Sequence, residues 1–502
     1  MKPSTKIAKE SIISFFGTAA GDIMRYLTTV FLARLVGLEY LGIYSLANSV
    51  TRLTEVVGKV SLDGGVLWHV SMSVGSQNRE YIKKYIGSSL KMGMVFSALA
   101  MVVQIVLAGF LSSVVFKGTT LLRTVITVNA VTLPFTILTL IAAYATQGYK
   151  LLKYKTFVTN LLGPFLALMT LPAAYFLISA EMAIVLPVVV SALLSFVVIL
   201  IFLKRLSGIS LVQAVREKFD FDILRYSLPL MLVSAIGTVM HWLDITMLGY
   251  FTDEATVGLY HPAARTAGLA RAALVALAGI FGPLLADYFA QNNLAEMRHT
   301  YTLVVRWIMT ISLPFAVLIM AFPGKIMLLF GEQYTPAATA LVVLTCGTLM
   351  QALAGIGAPA LNMLGRPKAN LVNSVIAVVV NVILSILWIP RYGINGAAWA
   401  SLSSLGLLGF LHTARVWLLI RLQPFSWKLA KPTVASLAAY GVLLAAKPYL
   451  LPLHTVWTLS LATIITILSF GAILWLLKFD RDDREVATAL MIIVQTLKRK
   501  PA

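Results

Sequence analysis

"GLEYLGIYSLANSVTRLTEV" (37–56) and "TDEATVGLYHPAARTAGL" (252–269) share a pattern that decides the fold. Gly42-x-Tyr44-x-x-Ala47 returns as Gly258-x-Tyr260-x-x-Ala263, 216 positions later. Upstream, "RYLTTVFLARL" (25–35) aligns with "HWLDITMLGYF" (241–251) at the same spacing. Downstream, "QGYKLLKYKTF" (147–157) aligns with "LGRPKANLVNS" (364–374) at a spacing of 217. A glycine that starts a helix by close packing would account for any one match, but not for three anchors holding a spacing of 216 or 217. The chain is therefore read as two copies of one unit, and the two stretches are the same helix–helix corner.

What repeats is membrane-spanning. Of 502 residues, 59% are hydrophobic and only 12% charged, with a mean hydropathy of +0.88. A soluble chain would be about one-quarter charged. Apolar runs of about 20 residues, punctuated by short basic or Gly/Pro breaks, are transmembrane helices. The expected class is an all-α polytopic membrane protein of about fourteen spans. They fall at 11–37, 40–62, 84–115, 120–147, 153–178, 182–205, 223–251, 255–285, 299–330, 335–362, 369–390, 394–420, 430–450 and 455–478. The repeat unit is six helices, with helices 13 and 14 appended. Six is even, so both copies enter from the same side, as parallel repeats with a site expected between them near mid-depth. The expected division is an N-terminal lobe over 1–205, an amphipathic interfacial linker over 206–222, a C-terminal lobe over 223–421, and helices 13–14 with a basic tail over 422–502.

The charges orient the spans. With the N-terminus inside, Lys2, Lys6 and Lys9, the clusters at 79–91, 150–155 and 204–225, and Arg366, Lys368, Arg415, Arg421 and the basic tail all lie inside. Outside segments hold only Lys117, Arg123, Lys325, Arg391 and Lys447. That asymmetry predicts a multi-pass protein of the cytoplasmic (inner) membrane with both termini cytoplasmic. It also gives the net charge of +20 a membrane explanation, with membrane lipids and no nucleic acid as partners. No small-residue cleavage site follows the first apolar run, so "MKPSTKIAKE" reads as the lead into a retained helix. The single cysteine, Cys346, excludes an internal disulfide and any multi-cysteine metal site. Every external loop is short, which argues against a membrane-embedded polymerase or ligase; no catalytic residue, metal or cofactor is expected, and the chain reads as a non-enzyme.

Charges inside the spans carry the functional reading. Helix 1 bears Thr18, Asp22, Arg25 and Thr29 on one face, and helix 2 bears Asn48, Arg52, Glu55 and Lys59 with identical spacing. Counted from Ser11 at ~1.5 Å per residue, Arg25 lies about 21 Å along its helix, past the midplane. A charge at the bilayer centre costs at least ~2.5–3.5 kcal/mol on insertion scales, so such residues face protein or a water-filled cavity. Two readings stand for Arg25 and Arg52: cavity lining, or neutralisation in i, i+3 pairs with Asp22 and Glu55. Arg265 and Arg271 have no acid near them on helix 8, although Arg271 points about 120° away from Arg265. On helix 7, His241 and Asp244 are either an internal hydrogen-bonded pair or, for Asp244, a site of cation coupling. Tyr26 and Trp242, equivalent positions, serve packing or stack on a sugar.

"LARLVGLEYLGIYSLA" (32–47), "LDGGVLWHVS" (62–71) and "WLDITMLGYFTDEATVGLYHPAARTAGL" (242–269) resemble the Wzx-type polysaccharide flippases of the multidrug/oligosaccharidyl-lipid/polysaccharide exporter superfamily. The resemblance covers helices 1–12, and helices 13–14 by hydropathy only. It implies two six-helix lobes, a cationic cavity lined by helices 1, 2, 7 and 8, and alternating access. The implied substrate is a polyprenyl-pyrophosphate-linked glycan, moved from the cytoplasmic to the outer leaflet, with a polysaccharide polymerase or ligase as candidate partner enzymes. Arg25, Arg52, Arg265 and Arg271, with His241, Tyr26 and Trp242, are then the expected substrate contacts; Asp244, Asp22 and Glu55 are the expected groups for coupling to Na⁺ or H⁺. The chain departs from the pattern at Trp68-His69, where the resemblance leads one to expect an arginine. Other readings are a lipid II flippase, and a drug/cation antiporter, which several cavity arginines disfavour by charge.

Overall fold

Gly37 and Gly393 explain why two helices are far longer than a bilayer needs. The computed structural model describes residues 3–271, 293–354, 356–423 and 426–477, together with 274, 277, 287–289 and 291. Within them α1 (Pro3–Lys59) runs for 57 residues and bends at Gly37, whose φ of 86° suits glycine alone. Expected helices 1 and 2 are its two arms. After α1 come α2 (Leu62–Gly75), α3 (Arg79–Phe110), α4 (Thr120–Gly148), α5 (Leu152–Lys155), α6 (Gly163–Leu177), α7 (Ala180–Ser207) and the linker helix α8 (Leu211–Arg216). After α9 (Phe221–Phe251) and α10 (Glu254–Leu269) come α11 (Leu294–Ala321), the short α12 (Pro323–Met327), α13 (Ala338–Ala354) and α14 (Gly357–Met363). The chain then forms α15 (Pro367–Ile420), bent at Gly393 with φ 55°, α16 (Ala430–Leu450) and α17 (Thr455–Leu476). Eleven helical stretches of the described residues are long and apolar enough to cross a membrane, and two of them are these bent pairs. No strand occurs among the described residues. The far part of expected helix 8, most of 272–286, and the basic tail from 478 lie outside the described residues.

The structure adds a helix in the gap between expected helices 2 and 3. Expected helix 2 ends at Lys59, and Val60 and Ser61 both adopt left-handed φ of 51°. The chain then continues as α2 (Leu62–Gly75). A β-branched residue rarely takes this conformation, so the break is strained. Lys59 pairs with Asp63 at 2.8 Å across it. Leu62, Val66 and Val70 of α2 pack with Ile86, Leu133, Ile137 and Ile141 in a common core.

The quoted corners meet each other. A methyl group on Gly42 would collide with the Glu254 carbonyl oxygen, and one on Gly258 with the Leu38 carbonyl oxygen. Leu38 and Glu254 stand at the repeat spacing of 216, so the contact is pseudo-twofold. Ala47, Tyr260 and Ala263 are fully buried behind it. The Glu254 carboxylate also accepts hydrogen bonds from the Thr119 backbone N–H and hydroxyl, at 2.9 and 3.1 Å.

The described residues pack as two compact units. The first takes in Met1–Thr266, Phe330–Ala340 and Ser374–Ser401. The second takes in Ala267–Leu329, Leu341–Asn373 and Leu402–Ala502; its core joins Tyr301, Val305 and Ile308 of α11 with Ala352, Ile356, Leu361 and Val416.

Candidate functional site

Glycines let the first arm of α1 press onto a π-helical turn at Thr156–Leu162, between α5 and α6. A methyl at Gly17 would strike Thr156, and one at Gly21 the Asn160 carbonyl. The wide turn leaves backbone carbonyls for other partners, a recurrent property of functional sites. Arg25 uses one: its Nη2 donates to the Thr159 carbonyl at 3.1 Å, while Nη1 meets Asp22 at 2.8 Å. Asn160 donates to Thr18 at 2.8 Å on the same polar face.

Arg52 pairs with Glu55 at 2.7 Å, so both expected i, i+3 pairs form. Neither pair is sealed: the Arg52 side chain is 55% exposed and Arg25 is partly so. Arg265 differs. Half-buried on α10, it has no ion pair among the described residues and lies within Coulombic range of Arg25, Asp22 and Tyr44. Tyr44 likewise reaches Arg52. The two arms of α1 and the helix α10 thus bring Arg25, Arg52 and Arg265 around one tyrosine, with two acids committed to two of the three cations. Such a group can hold a multivalent anion, because guanidinium groups bind phosphate oxygens bidentately.

A second centre lies on α9. The Asp244 carboxylate accepts from the Tyr260 hydroxyl at 3.0 Å, from Asn381 Nδ2 at 3.4 Å and from the Ser401 hydroxyl. Ser385 donates to Asn381 Oδ1 at 3.0 Å. These three donors to Asp244 are neutral. A carboxylate among hydroxyl and amide oxygens can take up a proton or a hard monovalent cation by small rotations of those groups. No group of three or more His, Cys, Asp or Glu side chains forms a metal site among the described residues.

Tyr26 shares a 3.2 Å hydrogen bond with Thr266 and sets its ring edge-on to Phe330 at 5.6 Å. His241 is exposed and packs edge-on against Trp242 at 5.4 Å; its charge and that of Arg265 both reach the buried His261. Arg271 is half-buried in the turn after α10, without an ion pair among the described residues. Trp68, at the position of the departure, stacks on Tyr226 at 4.9 Å and joins α2 to α9. The sequence alone does not single out Thr159, Asn160, Asn381, Ser385 or Ser401. Asn381 has a signal, as a lone amide within "AVVVNVILSIL" (377–387); the Thr159 carbonyl has none.

These features define a class: a polytopic helical membrane protein built from two repeats, with a cationic cluster and a separate buried carboxylate. A model of the family described as polysaccharide biosynthesis protein matches residues 31–339, and the chain belongs to that family. A Haloferax volcanii protein named "Probable low-salt glycan biosynthesis flippase" is 25% identical over 234 residues, 46% of this chain and 48% of that one. A second from the same organism, named "Probable flippase", is 27% identical over 169 residues, 33% of this chain and 36% of its own. The chain spans half or less of the length of these curated relatives. Among solved structures, the lipid II flippase MurJ in an inward closed conformation superposes with a TM-score of 0.70 at 14% identity. The match covers 92% of this chain and 98% of that one, and at this identity it is a likeness of fold.

Proposed function

We propose that the protein is a flippase carrying a polyprenyl-pyrophosphate-linked oligosaccharide from the cytoplasmic to the outer leaflet of the cell membrane, for cell-surface polysaccharide synthesis. The observation that carries this reading is Arg265, a half-buried arginine on α10 without an ion pair among the described residues and within Coulombic range of Arg25. A pyrophosphate supplies the anion that this cluster lacks. The family and the names of the two Haloferax relatives support glycan biosynthesis as the setting. With both termini cytoplasmic, the Gly42–Gly258 contact closes the outer end, and alternating access requires it to part. Asp244 is the coupling group, exchanging Na⁺ or H⁺ as Tyr260, Asn381 and Ser401 reorient. The chain itself makes and breaks no bond; enzymes that join or polymerise the glycan act on either side of the transfer.

Binding of a pyrophosphate-linked lipid to purified wild-type, Arg265→Lys and Arg265→Ala proteins tests this. A charge-assisted hydrogen bond contributes about 1.5–3 kcal/mol, so Arg265→Ala is expected to bind about tenfold or more weakly. Arg265→Lys keeps the charge without the planar fork and falls between. Equal affinity in all three makes Arg265 scaffolding.

A further inference from the structure

A cavity of about 720 Å³ opens at the end of the bundle where α2, α4 and α7 finish and α3 begins. Its lining includes Arg79, Lys83, Gln77, Tyr149 and Ser207, with Val74, Ile82 and Leu206 as the apolar part, and no carboxylate. The volume lies within the ~300–1,000 Å³ typical of small-molecule sites. None of these residues belongs to the arginine cluster or to the Asp244 centre.

The cations of α3 are treated differently on its two sides. Lys84 pairs with Asp220 at 2.8 Å, and Lys91 donates to the Glu217 carbonyl at 2.7 Å, so the side facing the linker is supplied with acceptors. The Arg79 and Lys83 side chains have no hydrogen bond or ion pair among the described residues. Burial pushes the Tyr149 phenol up, against the pull of the Arg79 charge, so it remains a neutral donor beside that guanidinium. Arg79, Lys83, Tyr149, Gln77 and Ser207 together offer two charges and several neutral donors to one anion, a donor set suited to a phosphate group.

We infer that this cavity binds a phosphate headgroup, and that the headgroup belongs to an anionic phospholipid of the leaflet facing this end of the bundle. The phosphate would sit between Arg79 and Lys83, with the glycerol and first methylenes against Val74, Ile82 and Leu206. The adjoining α8 supports a bilayer source over a free ion. Its Ala214 is fully buried, whereas Val212 and Val215 are exposed, as on a helix lying in the membrane interface. Anionic lipid surfaces attract such basic clusters.

The test uses the purified full-length chain in detergent, titrated with phosphatidylglycerol or phosphatidylcholine in mixed micelles, and separately with glycerol 3-phosphate. Bound lipid is counted by native mass spectrometry and affinity is taken from the titration. Wild type is expected to hold phosphatidylglycerol over phosphatidylcholine. Arg79→Gln/Lys83→Gln is expected to bind it about tenfold or more weakly, since both charge-assisted hydrogen bonds to the phosphate are removed. Arg366→Gln/Lys368→Gln, a basic pair elsewhere in the chain, is expected to match wild type. Lys83 is exposed and unpartnered among the described residues, so Lys83→Gln alone is the variant for which folding is secure; a several-fold loss of affinity is expected there. Glycerol 3-phosphate binding as tightly as the lipid would keep the phosphate site and reassign its source to a soluble ligand. Equal weakening in both double variants, or no preference for phosphatidylglycerol in wild type, would overturn the site.

Discussion

Asp244 shows how much a single side chain can mean when its neighbours are neutral. In the sequence it is an intramembrane acid three positions from His241, with a local pair as one reading. The structure gives it Tyr260, Asn381 and Ser401, 16, 137 and 157 residues away. Only tertiary packing brings those three together, which is why the sequence shows the acid and not its shell. Asp244→Asn keeps the shape and removes the charge. Transport by wild type is expected to change with an imposed Na⁺ or H⁺ gradient, and transport by Asp244→Asn to lose that response while the protein still folds. A variant that transports at the wild-type rate with the same ion dependence would end the coupling assignment. Arg25 and Arg52 teach the opposite lesson. Their i, i+3 acids are visible in the sequence, and both pairs form. For Arg25, however, the pair is only part of its environment, since the Thr159 carbonyl shares the guanidinium.

At the scale of elements, the repeat is legible because close backbone contact leaves a glycine. Gly42 and Gly258 are at equivalent positions, and each faces the carbonyl of the other corner. Overpacking a tight contact costs typically ~1–3 kcal/mol. Gly42→Ala and Gly258→Ala are each expected to lower the apparent unfolding temperature in detergent. The double variant is expected to fall by less than the sum, because the second methyl enters a contact already forced apart. Additive effects would mean the two glycines do not share one contact. Other elements leave no mark in the sequence. The left-handed pair Val60–Ser61 carries no glycine or proline, and hydropathy alone does not announce α2 beyond it. The π-helical turn at Thr156–Leu162 is likewise a product of packing: Gly17 and Gly21 of a distant helix make room for it. Hydropathy finds helices, and it does not find how they are bent or wound.

For the whole molecule, the spans and their pairing follow from composition, periodicity and a repeat spacing. The charge asymmetry adds an orientation: a reporter fused after Lys500 is expected to give a cytoplasmic signal, and an external one would reverse the assignment of every loop. Orientation also decides what the cationic cluster is for, since a carrier for an anionic lipid headgroup must load from one leaflet and release to the other. Reconstitution measures this directly. Purified protein is placed in vesicles with a polyprenyl-pyrophosphate-linked glycan in the inner leaflet, and a membrane-impermeant glycosidase outside reports arrival. Wild type is expected to deliver glycan well above protein-free vesicles, and Arg265→Ala to deliver it about tenfold more slowly or worse, as removal of one charge-assisted hydrogen bond requires. Delivery equal to protein-free vesicles, or an Arg265→Ala rate equal to wild type, would contradict a flippase working through this arginine.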